Sequence, residues 1–223
     1  MRPDHRSAVA NLKRERMRAR LIEAALLVVA AKGLEATMID DVAATAGASR
    51  GSFYNYFFTL QELLLAANRE LADEMVGFVL AEVDHVTDPA EKVARGLTLF
   101  LHLSAAHPLL ARFAAGMGLK GLTQGSVAEA VLTPLLARGM SEGRFARMPL
   151  PEARDLLAAT LLASLARTAR GEAVDVAAIV AALLRGLGLP PEAAARLADL
   201  PVTLPEIPPE SLVARTEAAR RAG

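Results

Sequence analysis

Residues 37–57 constrain the fold of this chain more than any other stretch, because they predict two short helices joined by a three-residue turn. Small or apolar residues recur there at spacings of three and four, which places them on one face of a first helix: Ile39, Val42, Ala43 and Ala46. Gly47 can adopt the left-handed backbone conformation that ends such a helix, and Ser49 is a favourable cap for a second one. The turn leaves no room for another element, so the two helices must pack together.

The same stretch indicates how each helix is anchored. Thr37 precedes the first helix and is expected to cap it, with Asp40 completing a capping box three residues later. Ala43 lies where the helices are expected to cross, and its small side chain permits a close approach. Phe53 and Phe57 supply the apolar face of the second helix, which leaves the opposite face for solvent or a partner.

The outer face of the second helix suits nucleic acid. It presents polar and aromatic side chains and one glycine: Arg50, Gly51, Ser52, Tyr54, Asn55 and Tyr56. Arginine can donate two hydrogen bonds to a guanine edge, asparagine can pair with adenine, and serine and tyrosine hydroxyls can donate to phosphate oxygens. Such a helix would lie in the major groove of DNA. For this motif alone, the alternative is an ordinary helical hairpin with a solvated polar face.

Positive charge is concentrated just before this motif. The first twenty residues hold two acids, Asp4 and Glu15, against seven basic residues: Arg2, Arg6, Lys13, Arg14, Arg16, Arg18 and Arg20. The whole chain balances 25 basic against 25 acidic residues, so the charge belongs to one end rather than to the protein as a whole. This asymmetry indicates a local site for a polyanion, whereas a solvated tail is the simpler alternative.

Four features in order identify a family resemblance. An apolar helix after Arg20 ends at Ala-Ala-Lys-Gly (residues 30–33), and the first helix of the pair contains Asp-Val-Ala (residues 41–43). The turn reads Ala-Gly-Ala-Ser-Arg-Gly (residues 46–51), and the second helix ends in Tyr-Asn-Tyr-Phe (residues 54–57). Through these features residues 20–71 resemble the TetR family of bacterial regulators. The resemblance implies an all-α protein, with an amino-terminal three-helix helix-turn-helix head joined to a carboxy-terminal helical domain for ligand binding and dimerisation.

The resemblance also implies roles for individual residues on a palindromic, double-stranded DNA operator. Thr37 is expected to touch phosphate, residues 49–52 (Ser49, Arg50, Gly51 and Ser52) to approach bases or backbone, and Tyr54 and Tyr56 to clamp phosphates, with Asn55 beside them. Two residues depart from the family pattern, because Asp40 and Leu60 stand where a basic residue and a phosphate-binding lysine are common. Both departures remove positive charge from the expected DNA face.

The remaining chain predicts helices throughout, without convincing strand alternation. Thr59 and Glu62 form a capping box that opens a long helix reaching about His85, which in the family links the head to the body. Proline and glycine breaks divide the rest into helices over residues 89–106, 108–117, 126–141, 151–170, 174–186 and 191–200. We therefore expect a head with a basic arm at residues 1–58, a body at 59–189 and a proline-rich tail at 190–223. The tail is expected to be extended or mobile beyond its short helix.

The composition bears on how the body packs. Hydrophobic residues make up 53% of the chain and aromatic residues only 4%, so the core must be built from alanine, leucine and valine. Residues 156–166, between Asp155 and Arg167, are apolar around the whole helix circumference, which indicates burial on more than one side. Either these helices are simply core or they bury a face against another subunit. The family resemblance favours a homodimer formed through the helices near 151–170 and 174–187.

A regulator of this kind responds to a signal, and we expect that signal to be a small apolar effector bound among the body helices. Bulky, adaptable side chains in an alanine-rich body are the expected lining: Phe100, Phe113, Met117, Met140 and Phe145. Repression relieved by the effector is the behaviour that most of the family shows. His102 and His107 are five residues apart, which is poor spacing for one helix face, so a metal site is not expected.

Several classes of protein are disfavoured by what the sequence lacks. It contains no cysteine, which excludes disulfides and thiolate metal sites, and we expect no cofactor. The motifs of common nucleophilic, phosphate-binding and zinc enzymes are missing, so we do not expect an enzyme. The longest uncharged run has 16 residues (96–111), fewer than the roughly 20 that a membrane span needs, and a cytoplasmic location is expected. A helical ligand-binding or scaffold protein without a DNA target is the alternative function.

Overall fold

The computed structural model describes residues 5–118 and 127–222, and every regular element within them is a helix. In chain order these are α1 His5–Lys32, α2 Ile39–Thr45, α3 Arg50–Tyr54, α4 Leu60–Val83, α5 Pro89–Ala106, α6 Pro108–Met117, α7 Val127–Ser141, α8 Leu150–Ala169, α9 Val176–Gly186, α10 Pro191–Ala198 and α11 Leu212–Ala222. The predicted all-α class is confirmed. The boundaries expected at residues 58 and 189 stay predictions.

Local capping signals account for where most helices begin. Thr59 Oγ1 accepts a hydrogen bond from the backbone N–H of Glu62 at 3.0 Å, and the Glu62 carboxylate accepts from the N–H of Phe58 at 2.8 Å. Asp88 Oδ1 accepts from the N–H of Ala90 at 2.7 Å at the start of α5. A proline lies in the first turn of α5, α6, α8 and α10. Its ring fixes a helical φ, and it lacks the backbone N–H that would have no partner within the first turn.

The predicted helices of the body agree closely with the observed ones. The predictions for α5 and α6 match their observed bounds, and those for α8, α9 and α10 differ by one or two residues at their ends. α4 ends at Val83, slightly before the expected His85. The start predicted for α7, Ser126, lies outside the described residues, as does most of the glycine-rich segment before it. From His5 onward the basic arm is the first half of α1 rather than the solvated tail given as the alternative.

Two large groups of buried side chains form most of the core of the described residues, beside a small third one of Ala111, Ala114 and Leu165. The first joins α1 to α3, α4, α6 and α11, and its most enclosed members include Leu21, Phe53, Leu63 and Phe113. The second is built from α5 and α7 to α10 around Leu136, Leu157 and Leu183. Since α4 carries buried residues from Leu63 to Val83, a single rigid element runs from the helix pair to the body.

The end of the tail differs from the extended segment that the sequence analysis predicts. α11 packs against α1 and α4, and Val213 in its first turn is only 2% exposed. The carboxylate of Glu74 on α4 accepts hydrogen bonds from the backbone N–H groups of Leu212 at 2.9 Å and Val213 at 2.8 Å. Arg215 forms an ion pair with Glu23 of α1 at 3.1 Å. Ser211 Oγ also accepts from the N–H of Ala214 at 3.0 Å, so a local cap and a carboxylate from far along the chain together start this helix.

No single helix among the described residues is both long and apolar enough to cross a membrane. The adjacent helices α5 and α6 would reach that length and composition only together, and they are bent by 98° at His107.

Candidate nucleic-acid interface and body cavity

The turn between α2 and α3 has the predicted geometry. Gly47 has φ +62°, and the N–H of Ala48 donates to the carbonyl of Ala43 at 2.9 Å across the end of α2. Ser49 Oγ accepts from the N–H of Ser52 at 3.0 Å and caps α3. These short-range bonds fix α3 relative to α2 over three residues, so the two helices form one rigid unit.

Two phenylalanines hold α3 onto the rest of the head. Phe53 is fully buried and Phe57 is 2% exposed, and their ring centroids lie 6.1 Å apart. Ala43 is 3% exposed, in keeping with the close helix crossing expected there. With one face of α3 buried in this way, Tyr54 and Asn55 between the two phenylalanines are exposed, whereas Tyr56 packs against the core of the head.

The outward face of α3 carries most of the residues predicted to touch DNA. Ser49, Arg50, Gly51, Tyr54 and Asn55 are exposed, whereas Ser52 and Tyr56 are half-buried. The Tyr54 side chain, 44% exposed, meets the Phe53 ring edge to face at a centroid distance of 5.4 Å. Its ring is therefore held in place while the hydroxyl end remains accessible.

Thr37 does not have the position that the sequence predicts. It is 3% exposed, and its hydroxyl donates to the carbonyl of Gly33 at 2.8 Å, at the end of α1. Met38, which has no capping oxygen, occupies the N-cap of α2, so the predicted capping box of Thr37 and Asp40 is wrong. A threonine hydroxyl can satisfy a free helix-end carbonyl as readily as it caps the next helix. A phosphate contact by Thr37 would require its side chain to turn outward.

Asp40 instead forms an ion pair with Arg50 across the two helices. Arg50 Nη1 lies 3.0 Å from Asp40 Oδ1 and 2.9 Å from Asp40 Oδ2, and both side chains are more than half exposed. A hydrogen bond with Tyr54, followed by the charge of Asp40, raises the pKa of Arg50 above its ordinary value. The neighbouring Asp41 pairs with Lys32 at 2.6 Å, and that hydrogen bond lowers the pKa of Asp41.

The basic stretch of α1 is divided between structural and accessible residues. Arg18 pairs with Glu70 of α4 at 2.9 Å and lies 5.4 Å from the Phe57 ring centroid. Arg20 Nη2 donates to the carbonyl of Ala46 at 2.5 Å and so satisfies the end of α2. Other basic side chains of α1 are exposed: Lys13, Arg14 and Arg16. Arg2 lies outside the described residues, and the side chain of Arg6 is not described.

The second departure from the family pattern also has a structural reason. Leu60, which replaces a possible lysine, is half-buried and packs against the apolar core of the head. Large apolar side chains that the sequence analysis did not single out are exposed nearby, since Met38 is 63% and Phe58 is 84% exposed. Their exposure follows from tertiary packing and has no local sequence signal.

The body contains an apolar cavity of about 110 Å³ between α4, α5, α7 and α8. α4 contributes four lining residues, Val76, Val79, Leu80 and Val83, and the other walls include Leu97, Phe100, Leu132, Leu135 and Leu161. Lys92 is the charged residue of the lining, and its Nζ lies 3.3 Å from the carbonyl oxygen of Asp84. The cavity is therefore suited to an apolar molecule and shares a wall with the helix that reaches the head.

Of the five residues predicted to line a pocket, the structure places Phe100 at this cavity. Phe113 is fully buried in the first core group, and Met117 packs against the same group. Met140 and Phe145 belong to the second core group, where Phe145 lies against Gly139. These four side chains fill space in the core, as bulky residues in an alanine-rich body must.

The helices α8 and α9 leave apolar surface uncovered in a single chain. Four of their large side chains are only half-buried: Leu156, Leu161, Leu162 and Ile179. Alanines on the same helices are exposed: Ala159, Ala163, Ala178 and Ala182. Close contact between α8 and α9 is possible because Gly186 has no side chain, and a Cβ there would come within 2.7 Å of Leu156. The two helices together therefore carry small and branched apolar side chains that a single chain leaves partly exposed.

Comparison with known proteins agrees with this geometry. The family model described as bacterial regulatory proteins of the tetR family matches residues 21–67, which cover α2, α3 and the adjoining parts of α1 and α4. Among curated proteins of Mycolicibacterium smegmatis, the transcriptional regulator EthR is 34% identical over 100 residues, 40% of this chain and 44% of the relative. The transcriptional repressor KstR2 is 31% identical over 93 residues, 42% and 43% of the two chains. The matches thus span less than half of either relative.

Solved structures extend the likeness beyond the head. The structure of RolR in complex with resorcinol superposes with a TM-score of 0.73 and 27% identity, covering 89% of this chain and all of that one. FadR from Bacillus subtilis in complex with stearoyl-CoA gives a TM-score of 0.52 at 18% identity over 81% of this chain and 96% of the other, a likeness of fold.

Proposed function

We propose that this chain, which belongs to the TetR family of bacterial regulatory proteins, binds double-stranded DNA and regulates transcription in response to a small ligand. In this proposal α3 enters the major groove, and the exposed basic residues of α1 contact phosphates beside it. We expect the protein to repress transcription, because the relative KstR2 is named a repressor. Release from DNA on effector binding also fits α4, which belongs both to the head and to the cavity wall.

One observation carries the DNA-binding part of the proposal. The helix-turn-helix unit buries Phe53 and Phe57 while it presents Arg50, Tyr54 and Asn55 together on an exposed face. These three side chains can form the hydrogen bonds that recognise base edges and phosphates. α3 has only five residues, so such contacts depend on its attachment to α2 and α1 rather than on the stability of the helix itself.

The proposal includes a homodimer that binds two half-sites of DNA. The uncovered apolar side chains of α8 and α9 form a surface that a second copy can bury symmetrically. Two heads joined in this way would read half-sites separated by about 34 Å, one turn of DNA, or a multiple of it. The second head acts at a high effective concentration, so a small change in head separation has a large effect on affinity.

The effector proposed is a small, largely apolar molecule with about one ring. An engineered apolar cavity of about 150 Å³ accommodates benzene, so 110 Å³ suits a ligand of similar or slightly smaller size without rearrangement. RolR, the relative of similar overall structure, was solved with resorcinol, which is a single-ring compound. A ligand in this cavity would press on Val76, Val79 and Leu80 of α4 and so change the position of the head.

The DNA-binding proposal is tested by the double substitution Arg50→Ala and Tyr54→Ala. We expect the affinity for a duplex selected from a random pool by the wild-type protein to fall at least about thirtyfold, since a bidentate base contact and a phosphate contact are lost. Fluorescence anisotropy at physiological salt measures the change. The control Arg147→Ala removes an exposed positive charge from the body and should leave the affinity nearly unchanged. Unchanged binding by the double variant would contradict the role of α3.

The ligand proposal is tested by filling the cavity with Val76→Phe. We expect resorcinol and related single-ring compounds to raise the Tm of the wild-type protein, and the substitution to remove most of that increase because the added ring occupies the space. DNA binding should be retained. The control Val127→Phe makes the same enlargement at an exposed position on α7. The cavity would be excluded as the binding site if both variants kept the full thermal shift.

A further inference from the structure

The guanidinium of Arg50 is paired with a carboxylate of the neighbouring helix. Its Nη1 faces both carboxylate oxygens of Asp40, at 3.0 and 2.9 Å. A guanidinium has five N–H donors and no acceptor, and an Nη1 N–H shared between the two oxygens is what Asp40 accepts. Further N–H groups lie on Nη2 and Nε, and two donors in a fork are what recognition of a guanine edge requires.

Tyr54 is the neighbour of Arg50 on α3. It lies one helical turn after Arg50, and its hydrogen bond with Arg50 is the first cause of the raised pKa of the guanidinium. The Tyr54 ring is itself fixed edge to face on the buried Phe53. The ion pair with Asp40 on α2 is therefore the contact that orients Arg50, although its side chain is 59% exposed.

The carboxylate that positions Arg50 has a second physical effect. Asp40 is 68% exposed in the first turn of α2 and lies on the surface that carries the outward residues of α3. A negative charge there repels the phosphates of any duplex. Binding to unrelated DNA depends almost wholly on phosphate attraction, whereas binding to a preferred sequence also gains from base contacts. The repulsion from Asp40 weakens both kinds of complex, so a change in the ratio of the two affinities must come from the base contacts of Arg50.

We propose that Asp40 is a positioning residue that makes Arg50 discriminate between base sequences. It orients the guanidinium toward a base edge, so that Arg50 is less able to pair with the nearest phosphate. Its own negative charge also weakens non-specific binding to DNA. This inference rests on the proposed DNA-binding function. It gives a role to the residue whose type departs from the basic one common in the family.

The test compares Asp40→Asn with the matched control Asp41→Asn. Both substitutions remove one negative charge from the first turn of α2, but Asp41 pairs with Lys32 and not with Arg50. Asparagine keeps the shape of aspartate and only one acceptor oxygen. The probes are a duplex selected from a random pool by the wild-type protein and a scrambled duplex of the same composition, with affinities measured over a range of salt concentrations.

For Asp40→Asn we expect binding to the scrambled duplex to tighten about threefold or more, while binding to the selected duplex gains less or weakens. The ratio of the two affinities should fall about tenfold, a loss within the range of one bidentate base contact. A repeated selection with this variant should return a weaker base preference at one position of each half-site. For Asp41→Asn the ratio should stay within about twofold, because the positioning of Arg50 is unchanged.

Two results would overturn the inference. If Asp40→Asn tightened both duplexes equally, Asp40 would act only as a repelling charge and would not position Arg50. If it changed neither affinity, or if Asp41→Asn lowered the ratio as much, the ion pair would have no role in discrimination. Failure of the proposed function looks different, because wild-type protein would then prefer no duplex and the Arg50→Ala and Tyr54→Ala variant would bind DNA like the wild type.

Discussion

Replacing Phe53 by alanine is expected to lower the free energy of unfolding by about 3–5 kcal/mol, the range for removing a buried aromatic ring. Phe53 is fully buried, its ring contacts those of Tyr54 and Phe57, and it is the buried anchor within the five residues of α3. The neighbouring backbone is fixed by the Gly47 turn and cannot collapse into the space. Chemical denaturation of the purified protein measures the loss.

The chain offers a matched control for this prediction. Phe58→Ala makes the same chemical change five residues later, at a side chain that is 84% exposed, and should alter the free energy of unfolding by less than about 0.5 kcal/mol. Equal effects at the two positions would contradict the packing described for the head. Phe53→Ala should also weaken DNA binding under conditions where the protein is still folded, because α3 loses its attachment.

Elements whose signals are local could be predicted from the sequence. Ser49 caps α3, Thr59 caps α4 and Gly47 ends α2 through bonds that span only a few residues, so residue type and spacing suffice to locate them. Prolines at the starts of α5 and α6 locate those helices for the same reason. The outward face of α3 also followed from spacing, because one buried phenylalanine fixes which side of a short helix is exposed.

Features that depend on distant partners could not be predicted in this way. The Thr37 hydroxyl could either accept a hydrogen bond from an N–H at the start of α2 or donate one to a carbonyl at the end of α1. The packing of α1 against α2 favours the second bond, to the carbonyl of Gly33. The sequence places Arg20 in a basic, DNA-binding arm, whereas in the structure its guanidinium donates to the carbonyl of Ala46 at the end of α2. Among bulky residues of the body, composition cannot tell a cavity wall such as Phe100 from a core residue such as Phe113.

The position of α4 connects the two parts of the proposed function. Its first half packs into the head through Leu63 and Leu71, and its second half forms one wall of the cavity through Val79 and Val83. Arg18 of α1 also pairs with Glu70 midway along this helix. In the proposed function, a displacement of the second half by a ligand would therefore reach the head through packed side chains rather than through a flexible linker.

Removal of α11 by a stop codon after Glu210 is expected to lower the free energy of unfolding by about 3 kcal/mol or more. The deletion exposes the surfaces of α1 and α4 that bury Val213, and it removes the two hydrogen bonds between Glu74 and the helix backbone. Glu74→Gln in the full chain should cost less, about 1–2 kcal/mol, because the amide keeps one acceptor and loses the charge that favours a helix amino terminus.

Glu82→Gln is the control for the loss of charge, since Glu82 is exposed on the same helix, and it should have little effect. Denaturant titration and amide hydrogen exchange separate the possible outcomes. Faster exchange confined to residues 212–222 in Glu74→Gln would show that the carboxylate secures α11 to α4. If the shortened chain and Glu74→Gln were both as stable as the wild type, α11 would contribute nothing to the fold, and the carboxylate of an α4 residue could not be the reason that this helix forms.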